Sequence, residues 1–322
     1  MKAIVCEEYG SPDVLQLQEI DKPVVNDDGV LVRVRAASAN PYDWHFMRGK
    51  PYFMRMMIGL LKPKANGLGI NLAGQVEAVG KNLKQFHPGD EVFGSGNGAF
   101  AEYVCASEDA LVLKPANLTY EQAAAVPAAA FTALQGLRDK GRIQPGQKVL
   151  INGASGGVGT FAVQIAKFLG AEVTGVCSTR NVDMVRSIGA DQVIDYTHED
   201  FTHGGQRYDL MLDNVGNRPM SECRRVLASN GTYVLVGGPN GGRWLGPLAR
   251  LLKVLVLSLF VSQKMVPMLT KRNKEDLLVL KELLEAGKVT PVIDRHYKLS
   301  EVPEAIRYLE EGHAQGKVVI TV

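Results

Sequence analysis

The sequence is poor in cysteine and nearly balanced in charge. Cys6, Cys105, Cys177 and Cys223 are scattered over 322 residues, and none forms a C-x-x-C pair. That spacing offers neither a disulfide framework nor a structural zinc knuckle. The formal net charge is +2, and aromatic and basic residues are not interleaved, so no nucleic-acid partner is expected. A long uncharged apolar run is also missing. The most apolar stretch, Trp244–Val261, contains Arg250, Lys253, Gly246 and Pro247. Central charges make a bilayer span costly. The stretch is expected to be buried or interfacial, with at most a weak contact at a membrane surface. Met1 leads straight into the strand-like Ala3-Ile4-Val5-Cys6, which leaves no room for a signal peptide and predicts a cytoplasmic location.

What is present is organised around Lys148–Arg180. The apolar run Val149-Leu150-Ile151 breaks into Asn152-Gly153-Ala154-Ser155-Gly156-Gly157-Val158-Gly159, and an apolar-periodic segment then runs to Leu169. A second β-like run, Ala171–Cys177, ends in Ser178-Thr179-Arg180. The pattern is strand, tight turn, helix, strand: one right-handed βαβ unit. Glycines let the turn bend sharply and let a ligand approach the backbone. The helix start presents free N–H groups and a partial positive charge, which suits a pyrophosphate. Against the dinucleotide fingerprint G-x-G-x-x-G, the chain offers Ala154 through Gly159, with Ala154 in the first glycine's place. The second strand ends without the acid that usually meets a ribose 2′-hydroxyl. Ser178 and Arg180 stand there instead and suit a 2′-phosphate, which predicts NADPH.

The remainder divides into three parts. Residues 1–115 show short β-like runs separated by turn residues such as Gly10-Ser11-Pro12 and His87-Pro88-Gly89-Asp90. The expected runs are Lys2–Cys6, Leu15–Ile20, Val30–Ala36, Ala73–Val79, Glu91–Phe93, Ala99–Cys105 and Ala110–Leu113, which predict a partly open antiparallel barrel. Within them, the methionine-rich Pro51–Gly69 is expected either to cover an apolar substrate or to serve as ordinary packing. Residues 116–264 alternate strands and helices, which predicts a doubly wound parallel sheet. Ligands bind such sheets beyond the carboxyl ends of the strands. That rule selects Ser155, Gly156, Gly157, Val158, Ser178, Arg180, Tyr196, Val215, Gly216, Gly237 and Gly238 as cofactor-binding candidates. Residues 265–322 carry a helix over Glu275–Ala286, a strand over Pro291–Leu299, a helix over Val302–Glu311 and a strand over Lys317–Val322. This tail is expected to fold back onto the barrel.

Several segments together resemble the medium-chain dehydrogenase/reductase superfamily. They are Val30–Asp43, Gly74–Gly80, Pro88–Val92, Ala123–Pro127, Gly153–Gly159, Ile188–Asp191 and Gly316–Val319. Within that superfamily the chain is similar to the zinc-independent quinone oxidoreductases, including alkenal and enone reductases. The resemblance implies an α/β protein: a GroES-like, partly open N-terminal barrel that is catalytic, a Rossmann domain, and a C-terminal return. Zinc-dependent relatives place a cysteine where this chain has Asn40 and Gly-His-Glu where it has Gly69-Ile70-Asn71. Their four-cysteine lobe is replaced by Gly94–Ala99. No metal is therefore expected, although His45 and His87 remain.

The resemblance places Asn40-Pro41-Tyr42-Asp43-Trp44-His45 at the nicotinamide pocket. Asn40 is then a candidate donor to a substrate carbonyl, and Tyr42 and His45 are candidate proton donors. Lys317 is expected to approach the cofactor from the returning tail. The implied activity is hydride transfer from NADPH to a small apolar quinone or α,β-unsaturated carbonyl. An enoyl-thioester reductase is the nearest alternative, with Arg48, Lys50, Arg55, Lys62 and Lys64 available for a carrier phosphate. A nucleotide-binding regulatory or structural protein with little turnover is the alternative from another class. A homodimer is expected, with Leu251–Val261 pairing across a two-fold axis.

Overall fold

The computed structural model describes residues 1–63, 67–238 and 261–322. Lys64 and nearly all of the Trp244–Val261 run lie outside the described residues. In chain order the elements begin with β1 (Lys2–Cys6), β2 (Leu15–Glu19), β3 (Gly29–Ala39), α1 (Pro41–Arg48) and a short α2 (Arg55–Ile58). They continue with β4 (Asn71–Val79), β5 (Glu91–Ser95), β6 (Tyr103–Ser107), β7 (Leu111–Leu113), α3 (Tyr120–Ala125) and α4 (Pro127–Gln135). Next come β8 (Lys148–Asn152), α5 (Gly157–Phe168), β9 (Glu172–Cys177), α6 (Val182–Ser187), β10 (Gln192–Asp195), β11 (Tyr208–Asp213), α7 (Met220–Arg225), β12 (Leu227–Leu235) and β13 (Lys264–Pro267). The tail holds α8 (Lys274–Glu285), β14 (Ile293–Lys298), α9 (Val302–Glu310) and β15 (Lys317–Thr321).

The chain forms two compact units. The first comprises Met1–Phe131, Arg272–Gly287 and Pro291–Val322; the second comprises Thr132–Lys271 and Lys288–Thr290. The division falls inside α4, later than the sequence boundary near residue 115. The Thr119 capping box starts α3, with Gln122 bonded to the Thr119 N–H and Thr119 Oγ1 accepting from Gln122. Ala123, Ala124 and Ala125 are fully buried in the barrel unit, where Ser38 Oγ donates to Ala124 O at 2.8 Å.

The barrel unit is built on β3. Its eleven residues are mostly small or β-branched, and nearly all are buried, as befits a strand covered on both faces. One edge of β3 pairs with β4. The other edge is shared: β6 pairs with Gly29–Arg33, and β15 pairs with Ala36–Ala39. Register shifts at Leu31/Val32 and Val34/Ala36 bend the strand so that both partners fit. The sheet order is β14-β15-β3-β4-β5-β7, so the tail does return to the barrel. β14 lies parallel to β15, a departure from an all-antiparallel barrel.

Two local expectations differ in the barrel. The predicted strand Ala99–Cys105 begins only at Tyr103, because Phe100 and Ala101 pair with β1 instead; Ile4 N–H donates to Phe100 O at 2.8 Å. The methionine-rich segment is anchored. Arg55 lies 4.2 Å from the Tyr9 ring and 4.8 Å from the Tyr52 ring, and donates to Gly49 O at 3.0 Å. Ile58 is buried, while Met56, Leu60 and Leu61 are exposed.

The second unit is a parallel sheet in the order β10-β9-β8-β11-β12-β13. β13 was not expected, since its residues straddle the boundary placed at 264/265; it extends the sheet beside β12. α5 is covered on nearly every side: Gly159 through Ala166 are all buried, the polar Thr160 and Gln164 included. The unit is closed at its neck. Gln135 Nε2 donates to Lys271 O at 2.6 Å, Lys271 N–H returns a bond to Gln135 Oε1 at 2.9 Å, and the Thr132 and Thr270 hydroxyls are 2.8 Å apart.

Candidate functional site

In the barrel unit the site begins where β3 ends. The antiparallel register pairs Val318 with Ala39 and Asn71 with Ser38. The next step along the first ladder sets Lys317 opposite Asn40, and α1 starts there. Pro41 suits the first helical turn, since it lacks only an N–H that would go unused. Asp43 reaches back to accept from the Asn40 N–H at 2.7 Å. The helix was not foreseen, although Asn-Pro-x-Asp is a capping signature.

These positions gather five buried polar side chains: Ser38, Asn40, Asp43, Asn71 and Lys317. Lys317 Nζ donates to Asn40 Oδ1 at 2.7 Å and to Ala39 O at 3.0 Å. Asn40 Nδ2 donates to Ser38 O at 2.9 Å. An ammonium only donates and a carbonyl only accepts, so the two neighbours fix which end of the Asn40 amide is which. The other Asn40 side-chain N–H has no partner among the described residues. Asn71 Nδ2 donates to Ser38 Oγ at 3.2 Å, and Asn71 Oδ1 is buried without a partner among the described residues.

Asp43 also accepts from the Gly69 N–H at 2.9 Å. Burial pushes its carboxyl up to about 6, against the pull of those two N–H bonds and of Lys317. Burial pushes Lys317 down to about 8, opposed by the Asp43 charge. Tyr42 is half-buried, its ring centroid 6.0 Å from that of Phe46. Burial raises its hydroxyl above the ordinary range, so it keeps its proton at neutral pH. His45 stacks on Trp44 with centroids 3.6 Å apart. Its Nδ1 lies 2.8 Å from Lys50 O and must carry the hydrogen, because a carbonyl only accepts. Burial lowers its pKa, favouring a neutral ring with Nε2 as an acceptor. Lys317 and Asn40 are thus brought together, while Tyr42 and His45 have separate surroundings.

In the second unit the candidates lie at the carboxyl ends of β8, β9, β10, β11 and β12. Gly153 has a positive φ of 77°. A Cβ on Gly159 would meet Gly153 O at 2.0 Å, so only glycine lets α5 pack this closely on β8. Gly156 is the N-cap of α5 and offers no capping side chain. Among the described residues, a Cβ there would find only Gly153 O, at 3.5 Å. The first N–H groups of the helix, at Gly157 and Val158, lack intrahelical partners by the geometry of any helix start. Bare donors above open space are what an anion such as a pyrophosphate needs, so the residues fit a dinucleotide.

Two residues that sequence reasoning missed hold this edge together. Asn181, nearly fully buried, donates from Nδ2 to Ser155 Oγ at 3.0 Å and to Ser178 Oγ at 3.1 Å. Asp213, fully buried, accepts from Asn152 Nδ2 at 2.8 Å, the Val215 N–H at 3.2 Å, the Gly216 N–H at 2.7 Å and the Tyr233 hydroxyl at 2.6 Å. It fixes the turn that carries Val215 and Gly216. A Cβ on Gly237 would meet Asn214 O at 2.0 Å. Arg180 is exposed, and Tyr196 is 48% exposed at the end of β10. The one sequence signal for Asp213 was its place at the end of a strand.

Two family models match the chain: an alcohol dehydrogenase GroES-like domain over residues 26–116 and a zinc-binding dehydrogenase domain over 188–320. The mouse mitochondrial NAD(P)H oxidoreductase RTN4IP1 is 36% identical, covering 100% of this chain and 89% of its own length. The chain is a medium-chain dehydrogenase/reductase. Within the superfamily it is similar to the chloroplastic NADPH-dependent alkenal/one oxidoreductase of Arabidopsis thaliana, at 32% identity over 99% of this chain and 79% of that protein. The quinone oxidoreductase of Escherichia coli, solved with NADPH, matches with a TM-score of 0.85 at 25% identity over 100% of both chains.

As in other medium-chain dehydrogenase/reductases, a partly open GroES-like barrel accompanies a Rossmann sheet. One family model carries zinc in its description, but the donors here do not fit it. Asn40 and Ile70, which the resemblance sets against the ligands of zinc-dependent relatives, offer no thiolate or imidazole, and among the described residues no three His, Cys, Asp or Glu side chains converge on a metal site. Among the described residues no helix is long and apolar enough to cross a membrane.

Proposed function

We propose that this medium-chain dehydrogenase/reductase uses NADPH to reduce small quinones and α,β-unsaturated carbonyls without a metal. The observation that carries the reading is the uncapped, glycine-lined start of α5, flanked by Ser155, Ser178 and Arg180 where an acid would favour NADH. The bound nucleotide supplies the hydride from its reduced nicotinamide ring.

The chain's own residues do the rest. The spare Asn40 N–H is the donor for the carbonyl oxygen as it gains negative charge. Tyr42, protonated at neutral pH, delivers the proton directly or through water. His45, neutral with a free Nε2, is an acceptor in this scheme. Quinones and enones are already electrophilic, so one well-held amide donor suffices where an alcohol substrate would call for a Lewis acid.

The enoyl-thioester alternative loses part of its support. Two of the cations it needs are engaged: Arg48 in a two-pronged pair with Glu310, Arg55 between two tyrosine rings. The reading includes a homodimer, on the strength of the apolar Leu251–Val261 run, and sedimentation gives the mass directly. The decisive assay follows NADPH absorbance with a quinone, an alkenal and an enoyl thioester. Turnover of the first two is expected. Tight NADPH binding with no oxidation by any acceptor would favour a regulatory role instead.

A further inference from the structure

Asn181 lies just beyond the strand end that carries Ser178. Its side chain is nearly fully buried, and its backbone N–H donates to Ser178 O at 2.9 Å. Its Nδ2 has two hydrogens, with Ser155 Oγ at 3.0 Å and Ser178 Oγ at 3.1 Å. Ser155 belongs to the turn before α5, and Ser178 ends β9. One amide therefore joins the turn before α5 to the strand end where a 2′-phosphate is expected.

An amide nitrogen only donates, so each serine oxygen here accepts. Each hydroxyl proton is then left for something else, and among the described residues neither serine donates a hydrogen bond to the protein. Both side chains are only half-buried and can reach a ligand. The other end of the amide, Asn181 Oδ1, is buried with no partner among the described residues. A buried carbonyl left bare works against stability. Turned the other way, the amide would bury two bare N–H donors in place of one bare acceptor, so the orientation seen is the less costly one.

We propose that Asn181 is a positioning residue for phosphate recognition: by donating to Ser155 and Ser178 at once, it makes both hydroxyls donors to the phosphorylated end of the cofactor. A phosphate has only acceptors, so donors held in advance favour it. A ribose hydroxyl can donate or accept and gains less from such a clamp. The proposal rests on the NADPH reading above and assigns a residue to it.

The test is equilibrium binding to the full chain, read by calorimetry, with NADPH, NADH and 2′,5′-ADP as probes. If the wild type does not prefer NADPH, the cofactor reading itself falls, whatever Asn181 does. Given that preference, Asn181→Asp keeps the shape but accepts where the amide donated. NADPH and 2′,5′-ADP should weaken by about tenfold or more, and NADH by under about threefold. Because the new charge alone would repel a phosphate, Asn181→Leu supplies the neutral control. In that background, Ser178→Ala should cost NADPH binding much less than it does in the wild type, since an unheld hydroxyl has little left to lose. Thermal melts confirm that each variant is folded. Unchanged NADPH binding in Asn181→Asp, or an equal effect of Ser178→Ala in both backgrounds, overturns the proposal.

Discussion

Lys317 and Asn40, 277 positions apart, meet at 2.7 Å through an ammonium and an amide oxygen. The contact follows from the β3–β15 ladder, which brings the last strand alongside the one that leads into α1. Lys317 thereby settles the direction of the one amide assigned to the substrate carbonyl. Lys317→Met should lower kcat roughly 10- to 100-fold, the cost typical of a misdirected positioning group. The KM for NADPH should barely move. Steady-state kinetics with a saturating quinone checks this. A purely structural role would instead lower the melting temperature and leave kcat per folded molecule unchanged.

The same lysine predicts a pH limb. Lys317 is pushed down to about 8, so its ammonium is lost as pH rises through that value. Activity should fall on the alkaline side of about 8 in the wild type. In Lys317→Met that limb should be absent from the kcat profile.

Asp43 gives a stability prediction of definite sign. Its folded carboxyl is raised to about 6, so the folded state holds the proton more tightly than the unfolded chain. Its contribution is therefore fully present below the ordinary carboxylate range and is lost as pH rises through about 6. Urea melts across that window should show the trend, and Asp43→Asn should flatten it. The asparagine must also satisfy the Asn40 and Gly69 N–H groups with one oxygen, which costs about 1–3 kcal/mol.

Two glycines three residues apart should behave oppositely. A Cβ at Gly159 would sit 2.0 Å from Gly153 O, so Gly159→Ala should not accumulate as folded protein. At Gly156 the φ of −82° suits any residue, and the nearest atom among the described residues would be 3.5 Å away. Gly156→Ala should melt close to the wild type yet bind NADPH at least about tenfold more weakly, because the methyl occupies the space left for a phosphate. Circular dichroism and nucleotide fluorescence read the two effects separately.

Arg180→Ala tests the choice of nucleotide. Removal of a guanidinium from a phosphate contact should raise the KM for NADPH by roughly 10- to 100-fold and that for NADH only slightly. Equal increases would remove the case for a 2′-phosphate.

Much of the fold was legible because the two periodicities differ. Alternating runs in the first part and strand-helix alternation in the middle place most elements within a few residues of where they lie. The turn before α5 was legible because its chemistry is local: Gly153, Gly156 and Gly159 act within one stretch of chain. Other features were not, helix α1 among them. β13 is four residues with no strong pattern, and its place comes from the edge of β12. The Phe100 pairing with β1 is a contact between distant segments. Asn181 and Asp213 carry no motif of their own; the partners of Asp213 come from β8 and β12, and those of Asn181 from the turn before α5 and the end of β9. Lys317 was noticed for its neighbour Gly316, but its partner, Asn40, emerges only once β15 and β3 are aligned.

The neck of the nucleotide-binding unit bears on how such enzymes can be remade. Gln135 and the backbone of Lys271 clasp each other in both directions, and Thr132 faces Thr270. The unit's entry and exit strands of chain are thus stitched side by side by their own amides and hydroxyls. Lys288–Thr290 belongs to the same unit and is held by Gln164, which donates to Thr290 O and accepts from the Thr290 N–H, so a replacement module must keep this clasp as well as the stitch. Exchange of nucleotide preference then becomes a matter of grafting a cassette, while the chemistry proposed for Asn40 and Lys317 stays in the barrel unit.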